Sequence, residues 1–251
     1  MGIYPSLPRN IRKDVPVWFN QEMRKLIFLV ITSLLFLVSC GDSVTIPNPS
    51  SHSLRYLALG DSYTIGESVA ENERWPNQLA SMLLAEKNIQ AEVTIIARTG
   101  WTTSELWEGI QANPPQGTYD LVSLLIGVNN QYRGYSVDEY REEFRFLLDK
   151  SIEYAGGKAS RVVVLSIPDW GVTPFAADRH VDVISKEIGV FNTVNREETE
   201  SAGAQYVDIT PISRRALDDL SLIAGDGLHP SGKMYELWAE EALPIVIEVI
   251  D

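Results

Sequence analysis

The feature that most constrains the fold is an alternation of short apolar runs with longer amphipathic stretches, sustained over about 200 residues. Nearly continuous apolar runs occur at 56–59, 93–97, 121–126 and 162–167, and a less apolar run occurs at 205–209. Continuous apolar runs of this length are typical of strands that are buried on both faces of a sheet. Helical stretches are predicted at 76–87, 103–111, 137–154, 178–202 and 233–250. This alternation predicts an α/β domain with one parallel sheet covered by helices on both faces.

Two of the predicted helices carry start signals. Pro76 suits the first position of its helix, where a missing N–H costs no hydrogen bond. Ser136 precedes the third helix as a predicted N-cap, and Glu139, three residues later, would complete a capping box.

The N-terminal part has the composition of a secretory signal. Met23-Arg24-Lys25 is followed by an apolar run over 26–38 and then by small residues. That run is shorter than the roughly 20 residues an ordinary membrane-spanning helix requires. Residues 1–22 precede Met23, a credible start methionine, and are excluded from the predicted fold.

The sequence Leu-Val-Ser-Cys at 37–40 resembles the lipobox of bacterial lipoproteins, and Cys40 is the only cysteine. This resemblance implies a lipid anchor on Cys40, with residues 1–40 as extension and signal, 41–53 as a flexible tether, and 54–251 as the folded domain. The aspartate that usually signals retention is absent after the cysteine, since Gly41 stands there, so the expected location is the outer membrane or the cell surface. A plain signal peptide with an incidental cysteine is the alternative.

The charge balance argues against one class of partner. The chain has 21 basic and 34 acidic side chains, and without residues 1–40 it would keep 16 and 32, a net charge of about −16. Such a surface disfavours nucleic acid and anionic lipid as partners. No second cysteine is available for a disulfide, so the core alone must stabilise the domain.

Residues suited to catalysis follow the predicted strands. Gly-Asp-Ser-Tyr at 60–63 follows the first strand, Gly100 the second, and Gly-Val-Asn-Asn at 127–130 the third. Asp-Gly-Leu-His at 226–229 precedes the last helix. Because ligands of parallel sheets bind beyond the carboxyl ends of the strands, these segments are expected to converge.

The convergence predicts a nucleophilic serine. A serine hydroxyl needs a base to take its proton, an imidazole near neutral pH is such a base, and a carboxylate can fix the tautomer of the imidazole. Ser62, His229 and Asp226 supply these groups, and three residues of separation allow Asp226 to fold back onto the ring of His229.

Together the four segments resemble the SGNH branch of the GDSL esterase/lipase family, over about residues 54–250. The resemblance implies a flavodoxin-like three-layer α/β/α sandwich with a five-stranded parallel sheet. It also implies Ser62 as nucleophile with Asp226 and His229, and an oxyanion hole made by the N–H groups of Ser62 and Gly100 and by the Asn129 side chain. Neither a cofactor nor a metal is expected, since metal-ligand spacing and a glycine-rich phosphate loop are absent from the sequence.

Three positions depart from familiar patterns. Tyr63 replaces the leucine of Gly-Asp-Ser-Leu, and Asn130 replaces the family's aspartate, which puts any structural role of that aspartate in doubt. Thr64 stands where the nucleophile elbow of α/β-hydrolases has its second glycine, which argues against that fold.

The expected activity is hydrolysis of a small acyl or acetyl ester. The alternatives are acyl transfer to a sugar hydroxyl, and a catalytically silent binding lipoprotein on the same fold. Trp101, Tyr132 and Trp170 follow sheet-edge segments and are interpreted either as walls of a substrate pocket or as packing beneath loops. The walls of a site, not the fold, select the substrate.

Overall fold

The computed structural model describes residues 53–250. The predicted signal, Cys40 and the tether as far as residue 52 lie outside the described residues. In the described part, no helix is both long and apolar enough to cross a bilayer.

Five parallel strands form one sheet in the order β2-β1-β3-β4-β5. The strands are β1 (Leu54–Gly60), β2 (Ala91–Ala97), β3 (Leu121–Leu125), β4 (Val162–Leu165) and β5 (Gln205–Val207). All five predicted strands are confirmed, with ends that differ by no more than two residues. β3 and β4 are buried along their whole length, as their continuous apolar sequences predicted.

Eight α-helices occur within residues 53–250. They are α1 (Ser62–Ile65), α2 (Trp75–Lys87), α3 (Thr103–Ala112), α4 (Val128–Tyr132), α5 (Val137–Tyr154), α6 (Val181–Ala202), α7 (Thr210–Ser213) and α8 (Gly232–Ile250). The five long helices match the prediction to within one residue, except that α6 begins at Val181 instead of residue 178, because residues 177–179 form a turn and a bend and His180 is the N-cap. The sequence analysis missed α1, α4 and α7, which have only four or five residues each and therefore show no helical periodicity.

Helices cover both faces of the sheet, which confirms the three-layer fold. α2 packs against α8, and α5 packs against both α3 and α6. The chain crosses the sheet in one direction from β1 to β2 and in the other from β2 to β3, β4 and β5. Right-handed crossovers therefore place α2 on one face and α3, α5 and α6 on the opposite face. The core between the layers holds large aromatic side chains that are fully buried, among them Trp75, Trp238, Tyr56, Tyr140 and Tyr235.

The predicted N-cap of α5 is present, but the full capping box is found at α3. The Ser136 hydroxyl accepts from the N–H of Glu139 at 3.2 Å, which confirms the N-cap of α5. The reciprocal capping box occurs instead at α3, where Thr102 and Glu105 each accept from the backbone N–H of the other.

The strand register aligns the loops that carry the motifs. Gly60, the last residue of β1, pairs with Ala97 of β2 and with Leu125 of β3. The three segments that follow these strands therefore begin at the same edge of the sheet, where the strand order changes direction.

Candidate active site

Ser62 is placed by a tight turn between β1 and α1. Asp61 caps α1 by accepting the Tyr63 N–H at 3.0 Å, so Ser62 is the first residue of this helix and not its cap. A side chain at Gly60 would bring a Cβ within 2.4 Å of the Leu125 carbonyl oxygen, so the turn requires glycine there. Ser62 is 5 % exposed, and that exposure faces a cavity.

Asp226 is saturated with hydrogen bonds. Its Oδ1 accepts the N–H groups of Leu228 and His229, both at 2.9 Å. Its Oδ2 accepts from the Ser68 hydroxyl at 2.7 Å and lies 2.6 Å from His229 Nδ1. Partial burial acts to raise the pKa of Asp226, but the hydrogen bonds from Ser68, His229 and the backbone outweigh it and hold the pKa well below its usual value. Asp226 is thus a carboxylate at neutral pH.

The His229 ring is held from several sides. The Tyr63 ring meets it edge-on, with centroids 5.9 Å apart. The backbone of the loop is tied on both sides of the motif, since the Phe175 N–H donates to the Gly227 carbonyl at 2.9 Å and the Ala224 N–H to the His229 carbonyl at 2.7 Å. These contacts orient the imidazole relative to the cavity.

Gly100 lies in a turn after β2. Its φ of +87° is in the region that favours glycine. Arg133 steadies the turn by donating to the Gly100 carbonyl at 2.6 Å while pairing with Glu105 at 3.0 Å. The Ser62 and Gly100 N–H groups have no acceptor within residues 53–250.

Two adjacent asparagines fix this loop to α4. Asn129 lines the cavity and donates through Nδ2 to the Trp101 carbonyl at 2.9 Å. Asn130 is fully buried, accepts the Thr103 N–H at 3.1 Å and donates to the Thr103 hydroxyl at 2.6 Å. The amide at 130 therefore has a structural role despite replacing the family's aspartate, because it joins the start of α3 to α4.

One cavity of about 210 Å³ brings the predicted residues together. Ser62, His229, Gly100 and Asn129 all border it, while Asp226 lies behind the histidine. Within the described chain no hydrogen bond joins the Ser62 hydroxyl to the His229 ring. Such contacts commonly tighten only when a substrate is bound. The remaining lining residues are Tyr63, Thr99, Val128, Tyr132, Trp170, Phe175 and Leu228.

The aromatic candidates divide between the two interpretations. Tyr132 and Trp170 line the cavity, whereas the ring of Trp101 packs against Gly109 of α3. Sequence reasoning missed Phe175 and Ser68. Phe175 lies in the 3₁₀ turn over Pro174–Ala176, which is too short to show a periodic pattern, and Ser68 is 158 residues from Asp226 along the chain, so neither gave a local signal.

Asp61 is electrostatically unusual. It is completely buried, and its Oδ2 has no hydrogen-bond partner among residues 53–250. Burial raises the pKa of Asp61 to about 7, although the Tyr63 N–H acts in the opposite direction. The carboxyl next to the candidate nucleophile is therefore partly protonated near neutral pH.

The acidic side chains of the domain do not gather into a metal centre. Residues 53–250 contain no group of three or more His, Cys, Asp or Glu side chains placed to hold a metal ion.

Solved structures show the same fold in ester hydrolases. The psychrotrophic esterase EstA from Pseudoalteromonas sp. superposes with a TM-score of 0.60 at 17 % identity, over 77 % of this chain and 97 % of that chain. A variant of the acetyl-xylooligosaccharide esterase Axe2 from Geobacillus stearothermophilus gives 0.61 at 19 %, over 77 % and 94 %. The lipase Lip_vut3 from a goat rumen metagenome gives 0.63 at 20 %, over 77 % and 97 %. At identities of 17–20 %, these superpositions show a shared fold and nothing more.

Sequence comparison supplies the family. No curated protein sequence matches the chain. The profile of the GDSL-like lipase/acylhydrolase family matches residues 58–237, which run from β1 into α8 and include every segment that borders the cavity. Since this match spans more than half of the sequence, the chain belongs to the GDSL-like lipase/acylhydrolase family, a family of ester hydrolases.

Proposed function

We propose that this protein is a serine esterase that hydrolyses carboxylic esters through Ser62, His229 and Asp226. The observation that carries the proposal is the 2.6 Å contact between Asp226 Oδ2 and His229 Nδ1 at the border of the cavity that also contains Ser62. An ionised Asp226 favours a proton on Nδ1, which leaves the Nε2 lone pair free to accept the serine proton.

The proposed reaction has two steps. Ser62 Oγ attacks the ester carbonyl as its proton passes to His229 Nε2, and the alcohol leaves with that proton. Water then attacks the acyl-enzyme and gives a proton to His229. His229 passes that proton to Ser62 Oγ as the bond to the acyl group breaks, which releases the acid and restores the serine hydroxyl. Asp226 stays ionised and stabilises the imidazolium in both steps.

Three donors are proposed to stabilise the oxyanion. The Ser62 and Gly100 N–H groups are free of protein acceptors in the described chain, and both residues border the cavity. Asn129 uses one N–H of its amide on the Trp101 carbonyl, which orients the second N–H. Donors fixed in advance at the oxygen that gains charge commonly supply the largest catalytic contribution.

The test compares two serine variants on p-nitrophenyl acetate and butyrate. Ser62→Ala is expected to lose turnover and keep its circular dichroism spectrum and Tm. Ser81→Ala is the matched control, because Ser81 is an exposed residue of α2. Retained turnover in a folded Ser62→Ala protein would exclude the mechanism, and absent turnover in the wild type would favour a silent binding protein.

The same assay separates hydrolysis from acyl transfer. The proposal predicts that free acid accounts for the p-nitrophenol released, even when a sugar alcohol is added at high concentration. A sugar ester as the main product would instead identify a transferase.

A further inference from the structure

An aromatic wall with an arginine behind it borders the cavity. Tyr132, Trp170 and Phe175 stand in sequence around its mouth, with ring centroids 5.5 Å apart for the first pair and 6.0 Å for the second. The Arg179 guanidinium carbon lies 5.2, 5.4 and 5.0 Å from these three ring centroids. One cation thus contacts three rings of the same wall.

The wall continues outward from the serine. Tyr132 and Trp170 border both the 210 Å³ cavity and an adjoining depression of about 460 Å³, and Arg179 lines that depression. Tyr132 and Phe175 are 48 % and 44 % exposed, whereas Trp170 is 4 % exposed. The part of a substrate that extends from Ser62 toward solvent would therefore pass over these rings.

The central ring is held rigidly. Trp170 Nε1 donates to Gln131 Oε1 at 2.8 Å, and Gln131 Nε2 donates to Glu187 Oε2 at 2.7 Å. This series of hydrogen bonds runs from α4 to α6 and fixes the plane of the indole. The rings of Tyr132 and Phe175 are inclined to this fixed indole by 66° and 57°, so the wall offers ring faces and edges to a ligand. A fixed central ring favours binding of a ring-shaped ligand, because little side-chain entropy is lost.

Arg179 is an unpaired cation in an acidic protein. Within residues 53–250 the only hydrogen bond of its side chain goes from Nη2 to the Tyr132 hydroxyl at 3.2 Å, and no carboxylate oxygen of that range lies within 4 Å of the guanidinium nitrogens. Arg133, beside the Gly100 turn, is instead paired with Glu105 and donates to the Gly100 carbonyl. Asp178 and Glu187 line the same depression, but neither forms an ion pair with Arg179, and Glu187 accepts from Gln131.

We propose that the aromatic wall and Arg179 form a subsite for the alcohol part of the substrate, and that this alcohol is a ring bearing a carboxylate, as in an acidic sugar or a hydroxybenzoate. The free guanidinium N–H groups match a carboxylate in charge and geometry, and the rings match a ring face. The apolar cavity beside Ser62, at about 210 Å³, suits a short acyl group. This subsite rests on the esterase function proposed above.

The test uses a pair of esters that differ in charge alone. 4-Acetoxybenzoate carries the carboxylate on its alcohol part, and 4-acetoxybenzamide is its neutral counterpart. The ratio of kcat/KM for the charged ester to that for the neutral ester is expected to fall about tenfold in Arg179→Gln. Arg179→Lys should give an intermediate ratio, because lysine keeps the charge but not the planar fork.

Two controls distinguish a local effect of Arg179 from a change in the overall charge of the protein. Arg145→Gln removes an exposed arginine of α5 and should leave the ratio unchanged. In the wild type the ratio should fall as salt rises from about 0.05 to about 0.5 M, because screening weakens charge pairing.

Three outcomes would count against the subsite or its basis. An unchanged ratio in Arg179→Gln would overturn the subsite. Phenyl hemisuccinate carries its carboxylate on the acyl part. If Arg179→Gln lowered kcat/KM for this ester and not for 4-acetoxybenzoate, the carboxylate would bind on the acyl side, and the assignment to the alcohol would be overturned. Absence of turnover with both neutral and charged esters would refute the esterase function itself.

Discussion

At the scale of single residues, the site contains two carboxyl groups with opposite environments. Asp226 accepts four hydrogen bonds, counting the one from His229 Nδ1, which hold its pKa below the usual value against the effect of partial burial. Asp61 is fully buried, and its Oδ2 has no partner in the described chain. Two residues of the same type therefore take different charge states, and only Asp226 is suited to orient an imidazolium.

The raised pKa of Asp61 should make the stability of the protein depend on pH. Its folded pKa of about 7 lies above the ordinary value of 3.8, so between these pH values the folded protein binds a proton that the unfolded chain has released. Stability should therefore fall as pH rises through this window. Asp61→Asn removes this dependence and keeps an acceptor for the Tyr63 N–H. The free energy of unfolding of Asp61→Asn minus that of the wild type should rise by about 4 kcal/mol from pH 4 to pH 8. Urea unfolding of both proteins at a series of pH values measures this difference.

A matched variant controls for general charge effects. Asp149→Asn, on the exposed face of α5, should leave the pH dependence of unfolding as it is in the wild type. If Asp61→Asn followed the same pH curve as the wild type, Asp61 would not be the buried group that titrates.

At the scale of elements, the site depends on how α3 and α4 are joined. Asn129 and Asn130 are neighbours at the start of α4, and their side chains reach the chain at Trp101 and Thr103. The first amide faces the cavity and the second is buried in the junction. Substitution at residue 129 should therefore affect mainly catalysis, and substitution at residue 130 mainly stability.

Alanine at each position should give a distinct phenotype. Asn129→Ala is expected to lower kcat by roughly 10²–10³ with a smaller change in KM, because the proposed donor acts mainly in the transition state. Asn130→Ala should cost much less in kcat and about 1–3 kcal/mol in stability, since it leaves the Thr103 groups without partners. Steady-state kinetics and urea unfolding of both variants check this. A larger loss of kcat in Asn130→Ala would show that the two roles are assigned the wrong way round.

The elements also show what sequence can predict. The strands were found because buried parallel strands are continuous apolar runs, and the long helices because their apolar residues recur at helical spacing. The loop that joins Asp226 to His229 was readable because the contact spans three residues. Ser68, Phe175 and Arg179 were not found, since their roles arise only when separate loops meet in three dimensions. The backbone turns at Gly60 and Gly100 were marked only by the glycines.

At the scale of the whole molecule, the N-terminal sequence predicts a lipid anchor. Cys40 lies outside the described residues, and the proposed catalytic residues lie within residues 53–250. Cys40→Ser should therefore release the protein from membranes while esterase activity appears in the soluble fraction. Acyl chains contribute about 0.8 kcal/mol per buried CH₂, and stable attachment needs more than one chain. Without residues 1–40 the chain has a net charge of about −16, which gives the domain no electrostatic attraction to anionic lipid.

Fractionation of cells that express either form decides between the two outcomes. Equal membrane association of the wild type and Cys40→Ser would show that Cys40 is not the anchor. In that case the apolar run over 26–38 would be uncleaved or would have another role.

The most direct test of the central claim is covalent labelling of the nucleophile. A fluorophosphonate reacts covalently with an activated serine, which is the role proposed for Ser62. The purified protein would be treated with a fluorophosphonate and digested, and the modified peptide identified by mass spectrometry. We expect one adduct per chain, located on Ser62, and none in Ser62→Ala or after heat denaturation. An adduct on another serine, or equal labelling of wild type and Ser62→Ala, would contradict the account.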